Sequence, residues 1–464
     1  MTCDIRCRTR INALVVALLL LVLPGMAGGQ EAREASPLTL EHAVKIALEK
    51  NPERKAALAE KKAASADIQV ARSFLLPHLM FSETATLGND PVYVFGSKLR
   101  QHRFSQNDFS LSVLNTPAPL GNYSTRFGGT WNLFDSFASW RAVTRAEHVK
   151  DAAGHQLERT DQEVIFRVIN AYYAVLLAKR DLQVAEQATK TAQAILDRSK
   201  DRYESGVTVQ SDYLSAQVRM TTRKQELIRT QNNLAFARAQ LSNAMGLGAE
   251  SEFEPANALE EKKLPEEALA DAEKRALEMR PDLKRIQSEE EAQKQSAAIA
   301  KSAFGPRVNA FGGWQADNPT FVGGGGGNNW LAGLEVQVDL FDGGSKRAQL
   351  SRERAQEEKV AAAKAMARDA IQLEVRRAYY DLDAARRQVE VASASISESR
   401  ESLRINQDRY ESGLSTITDL LAAEEMARRT QADYWEALYQ YHVSYASLEL
   451  ATGTLNPQSP VVTP

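Results

Sequence analysis

Few residues in this chain have types and spacings that do chemistry, and each set stops short of a reaction centre. The 464 residues include two cysteines, Cys3 and Cys7. Both stand at the extreme N-terminus, so the rest of the chain carries no disulfide, thiol nucleophile or cysteine metal site. His148 and His155 lie seven apart and share a helix face, but a metal centre needs further ligands and no others are evident. The glycine run at 323–327 suggests a phosphate cradle. It lacks the Lys-Ser/Thr and the strand-to-helix setting of a nucleotide loop, and reads as an exposed hairpin loop. Paired carboxylates are plentiful but interleaved with Lys and Arg, as on a solvated helix face. No catalytic group, cofactor or metal is implied, and a formal charge of −3 leaves no footprint for nucleic acid.

The N-terminus points elsewhere. Arg6, Arg8 and Arg10 precede an apolar run at 11–23, followed by Pro24 and small residues up to Gly29. A basic head, a short apolar stretch and small residues make a secretory signal over residues 1–29, cut after Ala27 or Gly29. The run is shorter than the roughly 20 apolar residues that span a bilayer. No Cys stands at the cut to carry a lipid anchor. No later stretch is long and apolar enough for a transmembrane helix, so any membrane insertion must use strands.

The chain is written twice. The hexapeptide from Asp201 to Gly206 recurs from Asp408 to Gly413, a shift of 207. Ala171-Tyr172-Tyr173 recurs as Ala378-Tyr379-Tyr380, and Leu133-Phe134-Asp135 as Leu340-Phe341-Asp342, both at the same shift. Upstream, Pro52 and Pro77 match Pro281 and Pro306 at a shift of 229, so copy one holds about 22 additional residues between Pro77 and Leu133. Variable loops are expected there. The organisation is a signal (1–29), a first repeat (30–250), a linker (251–263), a second repeat (264–453) and a disordered tail (454–464). Each repeat reads as a short helix, a polar helix stopped by Pro77 or Pro306, two strands around a loop (about 77–134 and 306–341), and a very long helix from near Ser139 or Ser345. A glycine turn at Gly206 or Gly413 reverses that helix, and another follows.

Heptads run along the long helices. Val164, Ala171, Ala178, Ala185 and Ala192 alternate with Val168, Val175, Leu182 and Leu196, and copy two repeats the register from Ile371 and Val375. Such a seam means supercoiled helices, and alone it would suit a periplasmic coiled-coil scaffold. The strands argue against that reading. Leu334, Val336, Val338 and Leu340 alternate with Glu335, Gln337 and Asp339, and Phe127, Trp131 and Leu133 with Arg126, Thr130 and Asn132. Strict alternation after a signal fits strands with one lipid face and one lumen face. Four strands cannot close a barrel, and an open edge cannot sit in lipid, so the sheet must close by association. Aromatic residues Tyr93, Phe95, Phe104 and Phe109 in the longer first hairpin fit either a membrane girdle or loop packing.

With these features the chain resembles the TolC-like outer-membrane efflux proteins over nearly its whole mature length. The resemblance rests on the duplicated layout, the two Leu-Phe-Asp motifs, the tip motif from Arg202 to Val207 and from Arg409 to Leu414, and Asp212 and Asp419 six residues past each glycine. It implies an α+β membrane protein: a homotrimer with a twelve-stranded β-barrel in outer-membrane lipid and a long helical barrel in the periplasm. It also implies a passive exit duct rather than an enzyme, coupled to a periplasmic adaptor (membrane fusion) protein and an inner-membrane pump. The tips at Gly206, Val207, Gly413 and Leu414 would dock the adaptor. Tyr410 and Asp419 would belong to the periplasmic entrance and its gate, Asp419 as an acidic ring. The chain departs from the family pattern at Ala422, where some members carry a second aspartate, and at Ser415, where some carry an arginine. The resemblance leaves the cargo open.

Overall fold

The computed structural model describes residues 37–248, 253–321 and 327–463. The segment read as a signal and most of the glycine run at 323–327 lie outside the described residues. In chain order the elements are β1 (Pro37–Leu38), α1 (Leu40–Lys50), α2 (Pro52–Ser73), β2 (His78–Gly88), α3 (Pro91–Arg100), a 3-10 turn (Gln106–Phe109), α4 (Leu111–Asn115), β3 (Leu120–Phe134), α5 (Ala138–Glu204), α6 (Gln210–Ala244), β4 (Glu254–Pro255), α7 (Leu269–Met279), α8 (Pro281–Ser302), β5 (Arg307–Asn318), β6 (Gly327–Gln337), α9 (Ser345–Glu411) and α10 (Ile417–Thr452). The duplication is drawn in these boundaries: α1 and α2 recur as α7 and α8, and α5 recurs as α9 with the same length of 67 residues. At 1.5 Å per residue each of those two helices spans roughly 100 Å. No described helix is long and apolar enough to cross a membrane.

The Leu-Phe-Asp motifs have a local physical reason. Asp135 and Asp342 accept backbone N–H bonds from the first turn of the long helices, from Ser139 at 3.0 Å and from Lys346 at 2.7 Å. They satisfy donors that a helix start leaves free. Between aspartate and helix both copies need two left-handed residues. Copy two uses Gly343 and Gly344, whereas copy one holds Ser136 and Phe137 at φ 58° and 68°. The strain in copy one is offset in part by the Ser136 hydroxyl, which donates to the Pro306 carbonyl at 2.9 Å.

The four long strands form one antiparallel sheet in the order β2-β3-β5-β6. Its register sorts side chains by face. Phe81 stands opposite Phe127, Phe127 opposite Trp314, and Trp314 opposite Trp330, all exposed on one side. Ser124, Arg126, Gln315 and Asn329 occupy the other. A bulge between Asn132 and Phe134 shifts the alternation, so Phe134 rather than Leu133 pairs with Val308. Glu83 is the charged residue on the apolar face among the described residues. It lies on β2, which together with β6 keeps a free outer edge.

The core sits around the middle of α5. Val164, Val168, Tyr172 and Val175 pack against Val44 of α1, Leu241 of α6 and Leu438 of α10. The Tyr172 hydroxyl donates to the Leu38 carbonyl at 2.8 Å and lies 2.6 Å from the Asn257 side chain, pinning the small β1–β4 sheet. Two expectations change here. The tail after Gly453 is folded, not disordered. Leu455, Val461 and Val462 are buried in the same core, and Lys262 Nζ donates to the Pro460 and Thr463 carbonyls. Its three apolar side chains provide burial that its prolines do not forbid. The additional residues of copy one, expected as loop, carry short helices of their own: α3, a 3-10 turn and α4. There Phe104 packs edge-on between Phe95 and Phe109 at 4.8 and 5.1 Å, which is loop packing.

Candidate functional entrance at the helical tips

The end of the molecule farthest from the sheet is made by the turns joining α5 to α6 and α9 to α10. Each long helix stops in the same way. Gly206 and Gly413 adopt φ 73° and 75°. Val207 N–H reaches back to the Arg202 carbonyl at 2.9 Å, and Leu414 N–H to the Arg409 carbonyl at 2.8 Å. These are Schellman closures, which favour glycine because a side chain at positive φ is strained. The next residues, Val207 and Leu414, stand 63% and 70% exposed. Two aliphatic side chains are thus held in solvent on rigid turns.

The two copies of the tyrosine differ. Tyr410 is buried in a cluster with Ile195 and Ala216 from the first hairpin and Ile417, Leu420 and Leu421 from its own. Its counterpart Tyr203 is half-exposed and stacks on Tyr213 at 6.0 Å. The Arg202 guanidinium lies 5.2 Å from the Tyr410 ring centre and donates to the Tyr410 and Glu411 carbonyls, at 3.3 and 3.2 Å. Arg198 pairs with Glu411. An arginine over a tyrosine ring contributes about 0.5–1 kcal/mol where partly exposed. The first hairpin therefore clasps the tip of the second.

Asp419 has a local role that its position in sequence already allowed. Thr416 caps α10, and Asp419 at the third helical position accepts from the Thr416 backbone N–H at 3.0 Å and hydroxyl at 2.7 Å. These bonds hold its carboxyl below the usual range. It is nonetheless exposed, as is Ala422 one turn on, so it presents charge to solvent while capping the helix.

Further up the tip hairpins is a set of charges that sequence reasoning missed. Arg223 on α6 is almost fully buried and donates to Glu226 and Glu424, both at 2.8 Å, and to Glu425. Arg428 bonds Glu226 at 3.1 Å and Glu425 at 2.6 Å. Burial alone would raise the Glu425 pKa, but Arg428 and Arg223 bring it down to about 2. The network joins α6 to α10, so it ties one hairpin to the other. A signal did exist in the sequence. At the shift of 207, Arg223 corresponds to Thr430 and Glu424 to Gln217, so each charge is present in one copy only. Neither was legible as a pair without the packing.

The residues expected at the entrance thus fall into two groups. Tyr410 at the end of α9 and Asp419 in the first turn of α10 flank the second turn, whereas Val207 and Leu414 form the exposed ends. His155 lies beside Glu158 at 3.1 Å, and no cluster of ligands that could hold a metal occurs among the described residues.

Comparison with known proteins bears on the chain as a whole. The family model described as "Outer membrane efflux protein" matches residues 43–247 and 273–454. Protein CyaE of Bordetella pertussis is 25% identical over 420 residues, which cover 88% of this chain and 81% of that protein. Outer membrane protein TolC of Escherichia coli is 24% identical over 436 residues, covering 88% and 80%. A solved structure of CusC superposes with a TM-score of 0.77 at 16% identity, covering 90% and 93% of the two chains, and so shares the fold.

Proposed function

From the premise that this chain belongs to the outer membrane efflux protein family, we propose that it closes its sheet as a homotrimer and gates at the helical tips. It is an outer-membrane channel subunit of an efflux or secretion system, with its helices extending into the periplasm. The observation that carries the trimer is the unfinished protomer: a four-stranded sheet, apolar on one face and polar on the other, with both edges free. In lipid every backbone polar group needs a partner, so these edges must pair with other copies, and three copies supply twelve strands.

The helical part is equally unfinished. Met366, Leu373 and Tyr380 recur every seventh residue on α9 and stand 72%, 71% and 59% exposed. That is an open seam awaiting a helix of another subunit. The tips Val207 and Leu414 are suited to an adaptor that inserts small apolar contacts, since both side chains are held outward on rigid turns. The channel is passive. Its adaptor couples it to an inner-membrane pump, and the family to which it belongs supplies the duct of such systems.

Opening at the entrance requires the second hairpin to move from the first. The groups resisting this are Arg202 over Tyr410, Arg198 with Glu411, and the Arg223 network. In the trimer the three Asp419 carboxylates face the entrance as an acidic ring, which favours cations there. Single-channel conductance in a planar bilayer tests both parts. Discrete openings blocked by a trivalent cation from the tip side, with the block lost in Asp419→Asn, are expected. Asn keeps an oxygen for the helix cap, so the comparison removes charge alone. Openings whose block is identical in the variant would sink the ring. Protein that stays soluble and never inserts would overturn the channel.

A further inference from the structure

The additional residues of copy one lie at the end of the sheet opposite the helices, because β2 leaves the helical body at His78 and reaches Gly88 before they begin. They do not project away from the strands. Asp90 caps α3, accepting from Tyr93 N–H at 2.8 Å, and the Tyr93 hydroxyl donates to the Thr86 and Leu120 carbonyls at 2.9 and 3.2 Å. Lys98 pairs with Asp108 at 2.6 Å and locks α3 to the 3-10 turn.

The anchoring contacts of α3 all fall on the polar face of the sheet. Gln101 Nε2 donates to the Asn122 side chain at 2.8 Å, and Asn122 Nδ2 donates to Asp317 at 2.7 Å. Gln315 Nε2 donates to the second Asp317 oxygen at 2.8 Å, and Asp317 is wholly buried. At the far side of the sheet the Arg100 carbonyl accepts from Asn329 at 3.4 Å. It also lies so near Gly327 that a Cβ there would meet it at 1.6 Å, so α3 requires glycine at that position. The helix is thus fixed across the sheet from β3 to β6. Beneath it remains a hollow of about 600 Å³, lined by Ser82, Thr84, Ser124 and Arg126 from the strands and by Asp90 and Arg100 from the helix segment. Asp90, the carboxylate among these, is engaged at the helix cap.

We propose that α3 is a fixed lid over the lumen at the outward mouth, and that Arg100 and Arg126 make this second constriction selective for anionic solutes. The proposal rests on the closed barrel described above, because only closure turns the polar face into a lumen. Three lids then narrow the mouth, and six guanidiniums border it. A ring of arginine favours anions, so the two ends of the duct carry opposite charge: acidic at the tips and basic at the mouth.

The test uses the full-length channel in a planar bilayer with inorganic triphosphate added to the lid side. Block is expected from that side, at concentrations roughly tenfold lower than those blocking the Arg100→Gln/Arg126→Gln variant, as befits removal of a basic ring. Gly327→Val, which displaces the lid, is expected to raise conductance. Tip-side cation block is expected to be unchanged in both variants. Equal triphosphate block in wild type and the double arginine variant, with tip-side cation block intact, overturns the lid's selectivity and leaves the channel standing. Unaltered conductance in a folded Gly327→Val channel overturns the constriction. Inserted protein that never conducts removes the lumen and overturns both readings.

Discussion

Tyr410 and Tyr203 carry the same motif and do different things. One is buried between two hairpins with Arg202 across its ring, and the other stacks on its own hairpin. Arg202→Ala removes the ring contact and both carbonyl bonds at once. It is expected to increase open probability in single-channel records, with little loss of thermal stability. A channel that opens no more often than wild type would show that the clasp is not part of the gate. Gly413 is a second case at this scale. Any L residue there must hold φ near 75°, at a cost of roughly 1–2 kcal/mol. Gly413→Ala is therefore expected to speed amide exchange around the tip while leaving the core unchanged.

At the scale of elements, α6 and α10 are joined by buried charge. Replacing Arg223 by Leu leaves Glu424 buried and unpaired, which typically destabilises by about 3–5 kcal/mol. Urea unfolding followed by helical signal is expected to show that loss. Arg223→Leu combined with Glu424→Leu should recover most of it. If the double variant is as unstable as the single, the network is not an isolated pair on which α10 hangs. At the end of α10 the Glu449 carbonyl accepts from the Thr454 and Leu455 N–H groups of the tail at 2.9 and 3.2 Å, while its side chain is an acid in a buried setting. Burial raises the Glu449 carboxyl to about 7, against smaller lowering effects from Ser459 and Arg275. Its native pKa lies above the unfolded value, so its protonated form supports the fold below pH 4.5. That support is lost as pH rises toward 7. A shift of this size corresponds to a few kcal/mol, on the order of 3. Glu449→Gln should therefore raise the melting temperature at pH 8 and change it little at pH 4. A uniform shift at both pH values would count against the buried acid.

For the whole molecule the open surfaces decide. Exposed strand edges and the Met366–Leu373–Tyr380 seam mean that one copy is an incomplete object. Leu373→Glu places charge in a seam that association would bury. It is expected to abolish the heat-modifiable, SDS-resistant oligomer on gels while leaving helix content intact. An unaffected oligomer would move the contact surface off this face of α9.

The sequence by itself determined the duplication, the element order and the helix ends, because these depend on local chemistry. Repeated motifs, capping aspartates, prolines at helix starts and glycines at positive φ act over a few residues. The strand faces were legible for the same reason: alternation needs no partner to be visible. The bulge at Asn132–Phe134 shifted one position because register belongs to a pair of strands. Only the tertiary structure decided what depends on residues far apart in the chain. The tail joins the core because Leu455, Val461 and Val462 meet α5 across the whole sequence. Arg223 finds Glu424 two hundred residues away, and the additional residues of copy one cross the polar face of the sheet because Asn122, Asp317 and Gly327 converge beneath them. Burial, charge pairing and close backbone approach are properties of packed surfaces, and a linear pattern records the ingredients without recording which of them meet.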